Sequence, residues 1–241
     1  MYATFVYNPL YNGFILLMNA LPFLDAGMIV VLFTVIVKLI LFPISRKAVR
    51  TQATMKLVEP ELNAIKEKHK DDRQAQSLAI MKFYKEKQIN PFSSMLLLLI
   101  QLPIIFALYH IFFAGFANIN ADILYPFVHA GSAAINPWFL GLIDVTKKSA
   151  VLAVLAAVSQ FFQIQLSTPK APVSSGKGDF QDTFARSMHL QMKFVFPIMI
   201  LLIGWNVAGA LALYWTTSNL FMIGQELVVR RQMRNEQQKT A

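Results

Sequence analysis

Cysteine is absent from this 241-residue chain. That excludes disulfides, thiolate metal sites and a lipidated N-terminal cysteine. Charge is sparse too: Asp, Glu, Lys and Arg make up 15% of the residues, against about a quarter in soluble domains. Histidine occurs only four times (His69, His110, His129 and His189), far apart and never as H-E-x-x-H. Neither a metal site nor a cofactor is therefore expected. The first 24 residues hold no lysine or arginine, so the basic start of a signal peptide is missing. No G-x-S-x-G turn occurs, and no two aspartates fall within the apolar segments. The one remaining nucleophile–base option is a Ser218–Lys38 dyad, and no enzymatic activity is expected. No internal repeat is evident, and no acid is read inside a span, which argues against an inverted-repeat or ion-coupled transporter.

What is present is apolar. Hydrophobic residues make up 56% of the chain, with 20 phenylalanines and 11 methionines, a composition expected of a membrane protein. Residues 26–45, AGMIVVLFTVIVKLILFPIS, are interrupted by a single charge, Lys38. Twenty helical residues span about 30 Å, the thickness of a bilayer's hydrocarbon core. A cation at the centre of such a span costs about 2.5–3.5 kcal/mol. Further spans are predicted at 95–116, 149–166, 188–205 and 209–229, the second interrupted by Gln101 and Pro103. Residues 1–24, broken by Pro9, Gly13 and Pro22, suit an interfacial helix. In it Asn8, Asn12 and Asn19 share one face, opposite Phe14, Leu17 and Leu21.

The polar segment 46–90 holds eleven Lys/Arg and six Asp/Glu. Met55, Val58, Leu62 and Ile65 recur at helical spacing there, as do Leu78, Met81 and Tyr84. With a polar turn at 69–73 and an aspartate cap, this predicts a helical hairpin standing off the membrane. Residues 117–148 form a loop with an apolar patch at 138–143. In the third span, Ala150, Ala153, Ala157 and Gln160 share a stripe that suits close helix packing. A loop at 167–187 and a basic tail at 230–241 complete the chain. Segments 46–90, 167–193 and 230–241 hold eleven, four and four basic residues, 19 of the 22 in total. The opposite side has only Lys147 and Lys148, and Lys38 remains. The positive-inside rule then puts the N-terminus outside and the C-terminus in the cytoplasm.

Several motifs, in order, resemble the YidC/Oxa-type membrane protein insertases over nearly the whole chain. They are Thr34-x-x-x-Lys38 with Phe42-Pro43, and Asn90-Pro91-Phe92 with Leu99-Ile-Gln-Leu-Pro-Ile104 and Ala107-Leu-Tyr109. The third is Gly209 with Leu213-Tyr-Trp-x-x-Ser-Asn-Leu220. The hairpin falls where the family has its cytoplasmic coiled coil. The chain looks like a minimal member, without the large extracytoplasmic domain, extra leading span or lipoprotein signal of some relatives. Bacterial members usually have arginine where Lys38 stands, and often tyrosine where Trp215 stands. Lysine keeps the charge but loses the planar five-donor fork.

The resemblance implies an all-α polytopic membrane protein of the cell (plasma or inner) membrane. Five transmembrane helices would surround a hydrophilic inner-leaflet groove, open to cytoplasm and lipid and closed on the outside. Its activity would be insertase and chaperone for nascent membrane proteins, without nucleotide hydrolysis. The lipid bilayer is a further partner, and the ribosome and a Sec translocon are candidate ones. The residues themselves supply candidates for the groove. Thr34 and Lys38 lie one turn apart on one face. Gln101, Gln160, Gln163, Thr216 and Asn219 are polar side chains inside spans, which usually face the protein interior. Interhelical hydrogen bonds account for these amides equally well. Tyr214 and Trp215 would rim the groove or lie among headgroups. Lys38 has two readings: a solvated cavity around it, or snorkelling along about 12 Å of helix towards Arg46.

Overall fold

The computed structural model describes residues 1–90, 93–114, 119–130, 135–167 and 190–240. Pro91 and Phe92, the end of the predicted second span at 115–116, loop residues 168–187, and Met188 and His189 lie outside the described residues. Nine α-helices form among those described. They are α1 (Asn8–Ala20), α2 (Ala26–Ile40), α3 (Phe42–Leu57), α4 (Glu59–Lys68) and α5 (Arg73–Glu86). After them come α6 (Ser93–Ala114), α7 (Ala150–Ser167), α8 (Phe196–Asn206) and α9 (Gly209–Thr240). One departure from the all-α expectation is a small antiparallel hairpin, β1 (Trp138–Phe139) with β2 (Ile143–Asp144). Among the described residues, α7 is the helix long and apolar enough to cross a bilayer alone; α2 reaches that length only when joined to α3. Shorter apolar stretches are Leu99–Phe112 and Lys193–Asn206.

The chain divides into two compact units. The first comprises Met1–Phe42, Leu98–Gln160 and Pro197–Met222. Its core is apolar and aromatic, with Phe14 edge-on to Phe33 and Phe112 at centroid distances of 5.4 and 5.7 Å. Ile29, Val30, Leu108, Leu152 and Ala156 fill it out. The asparagine face of the N-terminal helix runs from buried Asn12 to exposed Asn19. Asn12 is buried beside Phe14, donates to the Ile123 carbonyl at 2.9 Å and accepts from the Tyr125 N–H at 2.6 Å. Asn19 donates to the His129 carbonyl at 2.7 Å. A loop buried against a helix has backbone groups that need partners, and these two amides supply them.

Helix α2 starts at an Asp25 cap, whose carboxylate accepts from the Met28 N–H at 2.8 Å. The other oxygen of Asp25 accepts from the Leu140 N–H at 3.1 Å. That bond holds the tip of the β-hairpin, where Leu140 and Gly141 have φ of +52° and +72°, as a tight hairpin turn demands. Phe139 lies hard against Gly27: a Cβ there would sit 2.4 Å from the ring. The apolar patch at 138–143 is thus partly used inside the protein. On α7 most of the predicted small-residue stripe faces inward, with Ala153 and Gln160 buried and Ala157 half-buried. Ala153 and Ala156 are fully buried, whereas Ala150 is exposed. Gly204 of α8 meets Ala153, its hypothetical Cβ only 3.3 Å from that methyl.

The sequence predicts one span over 26–45, but α2 ends at Ile40, and α3 begins at Phe42. Pro43 explains the restart: it has no N–H to give to a continuing ladder and fits the first turn of a new helix. Lys38 therefore stands in the last turn of α2, where the helix dipole favours a cation. The 12 Å of continuous helix towards Arg46 does not exist.

The second unit comprises Pro43–Leu97, Phe161–Phe196 and Ile223–Ala241. Helices α4 and α5 pack around Val58, Phe83 and Ile89, with Met55, Leu62, Ile65 and Tyr84 against them. Asp72 caps α5, accepting from the Gln74 and Ala75 N–H groups at 3.0 Å. Leu78 and Met81, read as core-facing, are exposed; Phe83 takes the inward position. Beyond residue 229 the chain continues as helix to Thr240 rather than as a separate tail. Arg46 donates to Gln232 at 2.9 Å, and Arg50 pairs with Glu236 at 2.5 Å, tying α3 to that extension.

Candidate functional site

Three helices of the first unit bring polar groups together around Lys38. From the last turn of α2, its ammonium donates to Gln101 Oε1 of α6 at 2.9 Å. The Gln101 amide nitrogen donates to the hydroxyl of Tyr214 on α9. Tyr214 is buried and also bonded to Ser218, one turn on. Gln101 can serve both neighbours because its amide offers an acceptor to the cation and a donor to the phenol. Its orientation is fixed by those two bonds. Lys38 and Gln101 remain half-buried, so the charge is neither sealed in the core nor free.

The other predicted site residues have different surroundings. Thr34 is buried and donates to the Val30 carbonyl of its own helix at 2.6 Å. Thr216 does the same to Ala212 at 2.9 Å. Asn219 joins α9 to α7, donating to Ser159 Oγ at 3.1 Å. Gln160 is buried on α7, and Gln163, in the second unit, donates to Ser167 Oγ at 3.1 Å. Trp215 is packed into the apolar core at 8% exposure, not laid among headgroups. Among the described residues Lys38 makes no hydrogen bond to Ser218, so the dyad geometry is absent.

A second polar cluster, in the second unit, escaped the sequence reading. Glu226, within the predicted fifth span, is 1% exposed. It receives the Arg230 guanidinium through Nε at 3.0 Å and Nη2 at 2.6 Å, and the hydroxyl of Ser167. Arg230 also donates to the Leu166 carbonyl at 2.7 Å, and Lys56 reaches the same carbonyl at 2.8 Å. Two cations thus cap the C-terminal end of α7, where its carbonyls lack helical partners. Nearby, Gln225 donates to Ser45 Oγ at 2.8 Å. The legible signal was Glu226 and Arg230 at i and i+4.

A model of the 60Kd inner membrane protein family matches residues 18–237. The chain belongs to this family, the YidC/Oxa-type membrane protein insertases. A Clostridium tetani relative, named membrane protein insertase YidC, is 34% identical over 210 residues, 87% of this chain and 84% of its own. Relatives of the same name from Ectopseudomonas mendocina and Azotobacter vinelandii are each 33% identical over 210 residues, 86% of this chain. The chain spans 31% and 32% of those two proteins' lengths. Family membership also fits the surface: α7 exposes Val151, Val154, Leu155, Val158 and Phe162 along one side. Soluble monomers rarely leave so continuous an apolar face uncovered.

Proposed function

We propose that this chain is a membrane protein insertase and chaperone, acting on nascent membrane proteins at the bilayer without hydrolysing nucleotide. Five spans, with the N-terminus outside and the C-terminus in the cytoplasm, would enclose a hydrophilic groove in the inner leaflet. The observation that carries this reading is the Lys38–Gln101–Tyr214 chain of hydrogen bonds. It keeps an ammonium half-buried between three apolar helices, close to polar partners that tolerate water. Such a charge attracts the acidic tail of an incoming segment and shortens the apolar path that tail must cross. The apolar part of the substrate then partitions into lipid. Thr34, Gln160, Gln163, Trp215, Thr216 and Asn219 would support the groove by joining and filling its helices. The ribosome and a Sec translocon are candidate partners at the basic cytoplasmic side.

A small-solute channel or transporter is the second reading, and Glu226 bears on it as an acid within a predicted span. Its carboxylate is occupied by Arg230 and Ser167, which favours a structural role over ion coupling. Reconstitution of the purified full chain in liposomes separates the two. A short membrane protein added to those liposomes is expected to become protease-protected well above the level in protein-free vesicles. Protection no higher than that background, together with solute conductance in the absence of substrate, would replace the insertase reading with the channel one.

A further inference from the structure

We propose that a cavity of the first unit, lined by residues 146–148 and by the turn between α8 and α9, binds the headgroup of an anionic phospholipid in the outer leaflet. Its place in the outer leaflet rests on the proposed topology. The cavity holds about 400 Å³ and is lined by Tyr109, Thr146, Lys147, Lys148, Asn206 and Leu211, among others. Its two lysines are the only basic residues that the charge distribution assigns outside the cytoplasm. Both converge on one cavity, although the positive-inside tendency disfavours lysine on that side.

The two lysines are not equivalent. Lys147 pairs with Asp144 at 3.2 Å. Burial would raise the Asp144 carboxyl, but bonds from Thr146 and Lys147 outweigh it and hold it below the ordinary range. Lys147 is thus partly neutralised and positioned. Lys148 makes no ion pair or hydrogen bond among the described residues and stays exposed, ready for an external anion. Thr146 and Asn206 add neutral polar groups, as phosphate and glycerol oxygens require.

The rest of the wall selects an amphiphile over a free anion. Phe112 and Leu211 form an apolar floor. Beside Asn206, α8 exposes Leu202, Ile203 and Trp205. An exposed tryptophan next to a run of aliphatic side chains marks the headgroup level of a bilayer. A charged head in the cavity and acyl chains along α8 satisfy both surfaces at once, by the same charge pairing through which basic pockets on the cytoplasmic side of membrane proteins hold anionic headgroups.

The test uses the full chain in zwitterionic nanodiscs with a small fraction of phosphatidylglycerol, read by native mass spectrometry of lipids retained after release. Wild type is expected to retain one phosphatidylglycerol in preference to phosphatidylcholine of the same chains. Lys147→Gln/Lys148→Gln should reduce that preference about tenfold, with an unchanged thermal midpoint in pure zwitterionic lipid. Millimolar glycerol phosphate should not displace the lipid; complete displacement would reassign the site to a soluble phosphate and overturn the proposal. Equal retention of both lipids, or unchanged preference in the double variant, would also overturn it. So would loss of acidic-tailed substrate insertion in Lys148→Gln with lipid retention intact, because the cavity would then belong to substrate. The cysteine-free chain permits a separate check of sidedness. Lys148→Cys should react with an impermeant maleimide from outside intact cells, and reaction only from inside would fault the topology while leaving lipid binding to be judged by mass spectrometry.

Discussion

Lys38→Ala is expected to lower insertion of a short membrane protein with an acidic tail by about 10- to 100-fold, while Lys38→Arg retains most of it. At an effective dielectric of about 20, a carboxylate roughly 5 Å from an ammonium gains about 3 kcal/mol, and every 1.4 kcal/mol is a factor of ten. Hydration of a half-buried site lowers the gain, hence the range. Arginine preserves the charge, and at the end of α2 it can still reach Gln101 Oε1, which accepts from Lys38 at 2.9 Å. A substrate with a neutral tail isolates the electrostatic part, and its insertion should fall far less in the alanine variant. Protease protection in liposomes measures both substrates side by side. Equal insertion by wild type and Lys38→Ala would remove the charge from the mechanism.

The second large effect concerns folding. Glu226 is buried at 1% exposure with Arg230 and Ser167 on its carboxylate. Removing one partner of a buried ion pair costs about 3–5 kcal/mol because the other charge loses its compensation. Arg230 keeps the Leu166 carbonyl and is 34% exposed, so Glu226→Leu should sit near the low end, about 3 kcal/mol. That corresponds to a thermal midpoint lower by about 6–12 °C for a chain of this size. Replacing both groups, Glu226→Leu with Arg230→Met, should recover at least half of the loss, because no unpaired charge then remains. Thermal unfolding of the purified protein in one lipid mixture reads both variants against wild type. A single variant as stable as wild type would show that the pair contributes nothing to holding α7 against α9.

How far these features were legible differs by residue. Lys38, Gln101 and Tyr214 were all singled out from the sequence, because a polar group inside an apolar run needs a partner. Their pairing was not legible, since three sequence-distant helices must meet to make it. Thr34 and Thr216 looked identical in kind, yet each bonds to its own helix, an option open to every threonine in a helix. The end of α2 is not legible from hydropathy, because residues 26–45 are apolar apart from Lys38 and continue so past Ile40; Pro43, which stands in a family motif, also marks the helix boundary. Glu226 was missed for the opposite reason. It lies near the end of an apolar segment, where a charge looks like an interfacial boundary, and only packing shows that Ser167 and Arg230 enclose it. The β-hairpin rests on Asp25 accepting from Leu140, 115 residues away in sequence, a distance no local pattern conveys.

Insertion through this site requires that water from the cytoplasm reach the polar cluster around Lys38. Because the chain has no cysteine, single thiols report this cleanly. Gln101→Cys in inside-out membrane vesicles should react rapidly with a membrane-impermeant maleimide. Val154→Cys, on the exposed apolar side of α7, should stay unreactive. A thiol at position 101 that is inert, or that reacts only from the opposite face, would contradict a hydrated cytoplasmic groove.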